Sequence, residues 1–241
     1  MISTTSEVNS PCQKTVLENG LRVVTTAISN IRTVSIYLSI GVGSRYESDE
    51  QAGISHFIEH LLFKGTNRRP SPVDITSTIE QHGGILNAGT EQESTIYWCK
   101  VAEPYFRQSL DLLFDMLTNS LFEPSSIDKE RLVVFEELNM VNDYPSVKTE
   151  TILDQMLWPD HPLGRDIAGT KHSVSDIQRD MMLKHMSDFY IPTNITLSVA
   201  GKIKHEEVVK MTQRLSAHLP AGNKPKYLPF TGKQLRSRLH L

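Results

Sequence analysis

The stretch Gly53-Ile54-Ser55-His56-Phe57-Ile58-Glu59-His60-Leu61-Leu62-Phe63-Lys64 decides how the rest of the chain is read. Ile54, Phe57, Ile58, Leu61 and Leu62 recur at spacings of three and four, the period of an amphipathic helix, and Gly65 supplies its stop. His56, Glu59 and His60 are left as its polar residues. A helix with such an apolar stripe has to lie on a core. The chain has 241 residues, 39% hydrophobic and 22% charged, enough to build one large domain around it.

Outward from this helix the periodicity changes. On its N-terminal side, Thr15-Val16-Leu17-Glu18-Asn19-Gly20-Leu21-Arg22-Val23-Val24 sets Asn-Gly between two apolar stretches, which predicts a hairpin because both turn residues tolerate positive φ. Val34, Ile36, Leu38 and Ile40 alternate with polar neighbours as a half-buried strand does, and Gly41-Val42-Gly43-Ser44 ends it. On its C-terminal side, Ser71-Pro72 reads as the cap and first turn of a helix that stops at Gly83-Gly84. Strands are expected at Ile85 to Ala88 and Ser94 to Val101. A helix follows from about Pro104 to Asn119, then another opened by Ser125 with Asp128 and running to about Met140. Further helices are expected at Thr149 to Leu157, Asp176 to Phe189 and His205 to Leu219, with a strand at Ile195 to Ala200. The order predicts an α+β fold, helices packed on one face of a mixed, largely antiparallel sheet. Residues 1–12 read as a flexible N-terminus, 13–219 as the domain, and 220–241, punctuated by Pro220, Gly222, Pro225 and Pro229, as a linker.

Composition narrows the functions. A net charge of −3 and a pI near 6.3 provide no broad basic field for nucleic acid or an anionic membrane. Cys12 and Cys99 form neither a disulfide framework nor the paired spacing of a structural zinc site, which fits a reducing compartment. No apolar run is long enough for a membrane span, and the polar start lacks the marks of a targeting segment. A bacterial cytoplasmic location fits best, with a processed organellar protein as the alternative.

The chemistry lies in His56-Phe57-Ile58-Glu59-His60. Imidazoles four residues apart sit about 40° around the axis and roughly one turn along it, so both can face one metal, while Glu59 can still reach a water there. H-x-x-E-H reverses the commoner order and is the inverzincin signature. The bland alternative is the solvated face of an amphipathic helix. Two histidines leave a catalytic zinc one protein ligand short. Glu130 and Glu137, seven residues apart, share a helical face from which one could ligate while the other sits behind a histidine and fixes its tautomer. Glu136 points about 100° away.

These residues carry a family resemblance. His56 to His60, followed by Glu130-Arg131-Leu132-Val133-Val134-Phe135-Glu136-Glu137, resembles the pitrilysin/insulinase metallopeptidases, more closely the short-chain branch with mitochondrial processing peptidase and its bacterial relatives. Asn19 to Val23, Gly43 to Glu47, Gly83 to Ala88, His161 to Arg165, Gly169-Thr170, Tyr190 to Asn194 and Val199 to Gly201 are similar to further signposts, so the resemblance covers about residues 15 to 215. It implies a zinc-dependent endopeptidase acting on extended or unfolded peptides. Zn2+ would be held by His56, His60 and Glu137, with Glu59 as the base and Glu130 as an acidic residue behind a ligand. Asn87 and Ala88 are the candidates for docking a peptide by strand addition. Such peptidases pair two homologous halves around a chamber, the second supplying an Arg and a Tyr that help hold the substrate carbonyl. This sequence matches the first half, so a second half, a subunit or a further copy is the expected partner.

Two rivals remain. Relatives of the processing peptidase include non-catalytic scaffold and partner subunits, which usually lose motif residues, whereas all four are present here. S-ribosylhomocysteine lyase also has an H-x-x-E-H metal helix but shows no counterpart of the Glu130 to Glu137 helix. The same N/O ligands would accept cobalt or manganese. The other histidines, His82, His161, His172, His185, His205, His218 and His240, sit in no ligand spacing and are expected at the surface or at caps.

Overall fold

The computed structural model describes residues 12–233 together with 236, 237 and 239. The expected flexible N-terminus, apart from Cys12, and His240 lie outside the described residues. The predicted hairpin forms from β1 (Gln13–Val16) and β2 (Arg22–Ala27). Its turn needs Gly20, whose φ is +91° and where a Cβ would stand 2.7 Å from Thr193 Cγ2. β3 (Thr33–Ile40) leads to α1 (Ile54–Leu62) and α2 (Pro72–Glu80), the latter opened by a reciprocal Ser71/Asp74 capping box. Then come β4 (Ile85–Thr90), β5 (Thr95–Ala102), α3 (Phe106–Asn119), α4 (Pro124–Asp143) and α5 (Pro145–Leu157). α6 (Lys171–Asp176), α7 (Arg179–Phe189), β6 (Ile195–Gly201) and α8 (His205–Leu215) complete the described elements.

The strands form one sheet in the order β1-β2-β6-β3-β5-β4. Among the described strands only β2 and β6 pair in parallel, Val23 opposite Leu197; the other pairs are antiparallel. This is the mixed, largely antiparallel sheet expected, with helices on one face. Val34, Ile36, Leu38 and Ile40 of β3 meet Tyr97 and Cys99 of β5 and Leu197 of β6 there, all with no exposed surface. On the other face Tyr37 stacks on Trp98, ring centroids 5.7 Å apart. α1 buries Ile54, Phe57, Ile58, Leu61 and Leu62 against this core. Each such side chain is worth about 1.5–3 kcal/mol.

Several local expectations differ from the structure; α5 begins at Pro145 rather than Thr149, and α8 ends at Leu215 rather than Leu219. α4 begins one residue earlier than Ser125, with Pro124 at the first helical position, where a missing N–H costs nothing, and Glu123 as an N-cap without a side-chain bond. The helix expected over 176–189 starts three residues later, as α7 at Arg179: Ile177 and Gln178 are extended, and Asp176 instead ends a separate helix, α6, that was not expected from the sequence. α6 has its own cap, Thr170 and Ser173 bonding each other's backbone N–H. β4 continues two residues beyond Ala88, through Gly89 and Thr90.

The segment read as a linker has no helix or strand over residues 220–233, yet it lies against the domain. Arg45 stacks its guanidinium 3.8 Å from the Tyr227 ring centre, and the Leu228 carbonyl accepts from His161 Nε2 at 3.0 Å.

Candidate metal centre

α1 presents the site because its start is fixed. Gly53, at φ +94°, takes the N-cap position, and a Cβ there would come 2.4 Å from the Ala168 carbonyl oxygen. Glu47, buried, accepts the Gly53 N–H at 2.8 Å and the Ser55 N–H at 2.9 Å, an anion set at the positive end of the helix. Burial raises its pKa, against the pull of those two N–H groups. Ser55 Oγ in turn lies 3.3 Å from His185 Nε2. His185 is buried, not the surface residue expected, and burial lowers its pKa to about 4.

With the apolar stripe of α1 in the core, His56, Glu59 and His60 face α4 and the end of β4. His56 Nε2 and His60 Nε2 are 3.2 Å apart, and Glu137 Oε2 reaches across from α4 to 3.6 Å from the first and 3.5 Å from the second. Among the described residues this is the group of three that could hold a metal ion. The fit can be tested on distance. Ligand atoms at tetrahedral corners about 2.1 Å from a zinc lie about 3.4 Å from one another, and the three observed separations bracket that value. Glu137 Oε2 is also buried with no hydrogen-bond partner, as an acceptor reserved for a cation would be. Burial, then the neighbouring His60, lowers the His56 pKa to about 4, which keeps its imidazole neutral and able to ligate.

Glu130, buried on the same face of α4, places Oε2 3.2 Å from His60 Nδ1 and takes Lys64 Nζ on Oε1 at 2.8 Å. A proton held on Nδ1 leaves the Nε2 lone pair for the metal position. Glu136 is exposed, as its angle on the helix required. Glu59 sits beside the cluster and accepts from Thr90 Oγ1 at 2.6 Å. Burial raises its pKa, opposed by the Thr90 hydroxyl and by His60.

Against these residues stand the comparisons with known proteins. The model of the insulinase family, peptidase family M16, matches residues 22–171, which include all of the residues above except His185. The chain belongs to the insulinase family of peptidases. A second model of that family, its inactive domain, matches residues 176–238. The chain is 37% identical over 234 residues to a probable mitochondrial-processing peptidase subunit beta of Arabidopsis thaliana, covering 92% of this chain and 43% of the relative. It is 38% identical over 186 residues to YmxG, an uncharacterized zinc protease of Bacillus subtilis, covering 77% and 45%. It thus spans about half the length of these relatives. A protease of Helicobacter pylori has the same fold, with a TM-score of 0.84 at 24% identity, over 91% of this chain and 53% of that one.

Within this insulinase-family domain, Asn87 and Ala88 lie in β4, at the open edge of the sheet, and not in the cluster. Three residues that support the site were not singled out from sequence: Lys64 and Thr90 beside the cluster, and Glu47 at the start of α1. Lys64 lies four residues after His60, one helical turn on, and Thr90 lies two after Ala88 on the same strand face; those spacings were the available signals. Glu47 was quoted for its resemblance without a role.

Proposed function

We propose that this chain is the metal-binding half of a zinc-dependent metalloendopeptidase that hydrolyses extended or unfolded peptides. The convergence of His56, His60 and Glu137 at 3.2–3.6 Å, with Glu59 alongside, carries the reading. His56, His60 and Glu137 would hold the ion, and Glu130 would keep His60 in the ligating tautomer. Zinc bound there would supply a Lewis acid that polarises a peptide carbonyl and makes water easier to deprotonate. Glu59 takes the proton of the attacking water and hands it to the leaving amine; its burial brings its pKa up towards the range in which a carboxylate serves both roles.

β4 offers the substrate an edge. Its exposed Asn87 and half-buried Ala88 would dock an extended peptide by main-chain hydrogen bonds, which give affinity with little demand on sequence. Asn87 Oδ1 accepts from the Ala88 N–H at 2.8 Å, so a docking peptide would take over that donor. A second homologous half or subunit would close the chamber, with residues 220–241 leading towards it and 13–219 as the catalytic unit. A bacterial cytoplasmic setting accords with the two unpaired cysteines.

The match of residues 176–238 to the family's inactive domain favours a second reading, a non-catalytic partner subunit. That segment holds none of the cluster residues, which ranks this reading lower. Metal content and cleavage of an unstructured peptide, on wild type and Glu59→Gln, each with and without a candidate second half, decide between them. About one zinc per chain in both proteins, with cleavage by wild type only, supports the peptidase. A folded chain without stoichiometric metal leaves the partner subunit.

A further inference from the structure

We propose that Thr90 is a positioning residue, which ties the base Glu59 to the strand edge where the peptide docks. The proposal rests on the peptidase reading above. Its ground is the hydrogen-bond pattern of the β4–β5 hairpin. Glu91 N–H donates to Ser94 O at 2.8 Å and closes the turn. In an antiparallel ladder, bonded and non-bonded pairs alternate. Thr90 opposite Thr95 is therefore a non-bonded pair, Gly89 opposite Ile96 a bonded one, and Ala88 opposite Tyr97 non-bonded again. Ala88 and Thr90 turn their main-chain N–H and C=O away from β5, towards the open edge. The Ala88 N–H bears this out independently, since its partner is the Asn87 side chain.

Side chains alternate on the other axis. Asn87 and Gly89 are exposed on the helix-free face, while Ala88 and Thr90 are half-buried on the face that carries α1. There the Thr90 hydroxyl donates to Glu59 Oε2 at 2.6 Å. Its cross-strand neighbour Thr95 spends its hydroxyl on the Val42 carbonyl at 2.9 Å, an ordinary way to satisfy a buried threonine. Thr90 bonds the base instead. One residue thus offers main-chain groups to the edge and restrains one carboxylate oxygen of Glu59. A peptide hydrogen-bonded at Ala88 and Thr90 would have its carbonyl placed relative to Glu59 through a single, stiff, β-branched residue.

The test is Thr90→Val and Thr90→Ser, assayed on whichever form of the chain cleaves peptide, with metal stoichiometry and chelator competition measured alongside. Valine keeps the shape and the β preference and removes the donor. A misplaced catalytic group costs up to about 100-fold, so Thr90→Val should lower kcat about 10–100-fold. KM, zinc per chain and chelator competition should stay within about 3-fold of wild type, and Thr90→Ser should recover most of kcat. Full kcat in Thr90→Val, or a loss confined to KM or to metal content, overturns the proposal while leaving the peptidase reading in place. A wild type that binds no zinc and cleaves nothing overturns both.

Discussion

His60 and Glu130 meet across two helices, Nδ1 to Oε2 at 3.2 Å, and the same carboxylate holds Lys64, two residues past the end of α1, at 2.8 Å. A neutral amide at position 130 can still accept from the imidazole but no longer pairs the lysine or strengthens the basicity of the ring. Glu130→Gln should weaken metal binding about 10–100-fold without changing which residues ligate. Competition against a chromophoric chelator measures it; unchanged affinity would show that the pair does not tune His60.

Glu137 and Glu59 should separate cleanly by metal content. Glu137→Gln removes the negative charge from the group whose Oε2 sits 3.5–3.6 Å from both imidazoles and should drop stoichiometric zinc, whereas Glu59→Gln should keep about one per chain. Atomic spectroscopy on dialysed protein reads this directly. Equal loss in both variants would assign Glu59 to the ligand set.

Glu47→Ala should destabilise the fold by about 2–4 kcal/mol, because it leaves two buried N–H groups of the first turn of α1 without an acceptor. Glu47→Gln keeps one acceptor oxygen and should lose roughly half as much. Denaturant midpoints at constant m-value provide the comparison. An alanine variant as stable as wild type would mean that water or backbone rearrangement satisfies the turn.

His185 gives stability a pH dependence whose sign is fixed. Burial holds its pKa near 4 in the fold, below the 6.5 of an unfolded imidazole, so the unfolded chain binds its proton first. Its contribution is fully present above pH 6.5 and is lost as pH falls towards 4, on the order of 3 kcal/mol across that window. His185→Gln should flatten the acid limb of stability plotted against pH between 6.5 and 4 and leave pH 7–8 comparatively unaffected. An unaltered acid limb would mean that other groups set it.

Much of this was legible before the structure. His56 and His60 share a face because of their spacing alone, and Glu130 and Glu137 likewise, so each helix announced its own half of the cluster. Contacts between elements were not legible from spacing. Thr90 reaches Glu59 only because β4 runs on past Ala88 to the level of α1, and the predicted strand stopped too soon. Glu47 is eight residues from Ser55 with a left-handed Gly53 between them, a geometry that no periodicity encodes. The separate helix α6 had a signal, Thr170 three residues before Ser173, lying just ahead of the predicted helix. The place of β6, parallel to β2 and antiparallel to β3, had none.

That placement governs how the chain can be born. β2 and β3 are neighbours in sequence but not in the sheet, and the slot between them is filled only by residues 195–201. A ribosome delivers α1 with its two histidines long before it delivers that strand. Until then Val34, Ile36, Leu38 and Ile40 have no β6 beside them, and the helix has half a floor to lie on. Productive folding of most of the domain therefore waits for residues 195–201 and is dominated by distant pairings, which makes it slow and exposes apolar strand faces to chaperones meanwhile. A nascent chain arrested before residue 195 should stay protease-sensitive throughout, metal helix included.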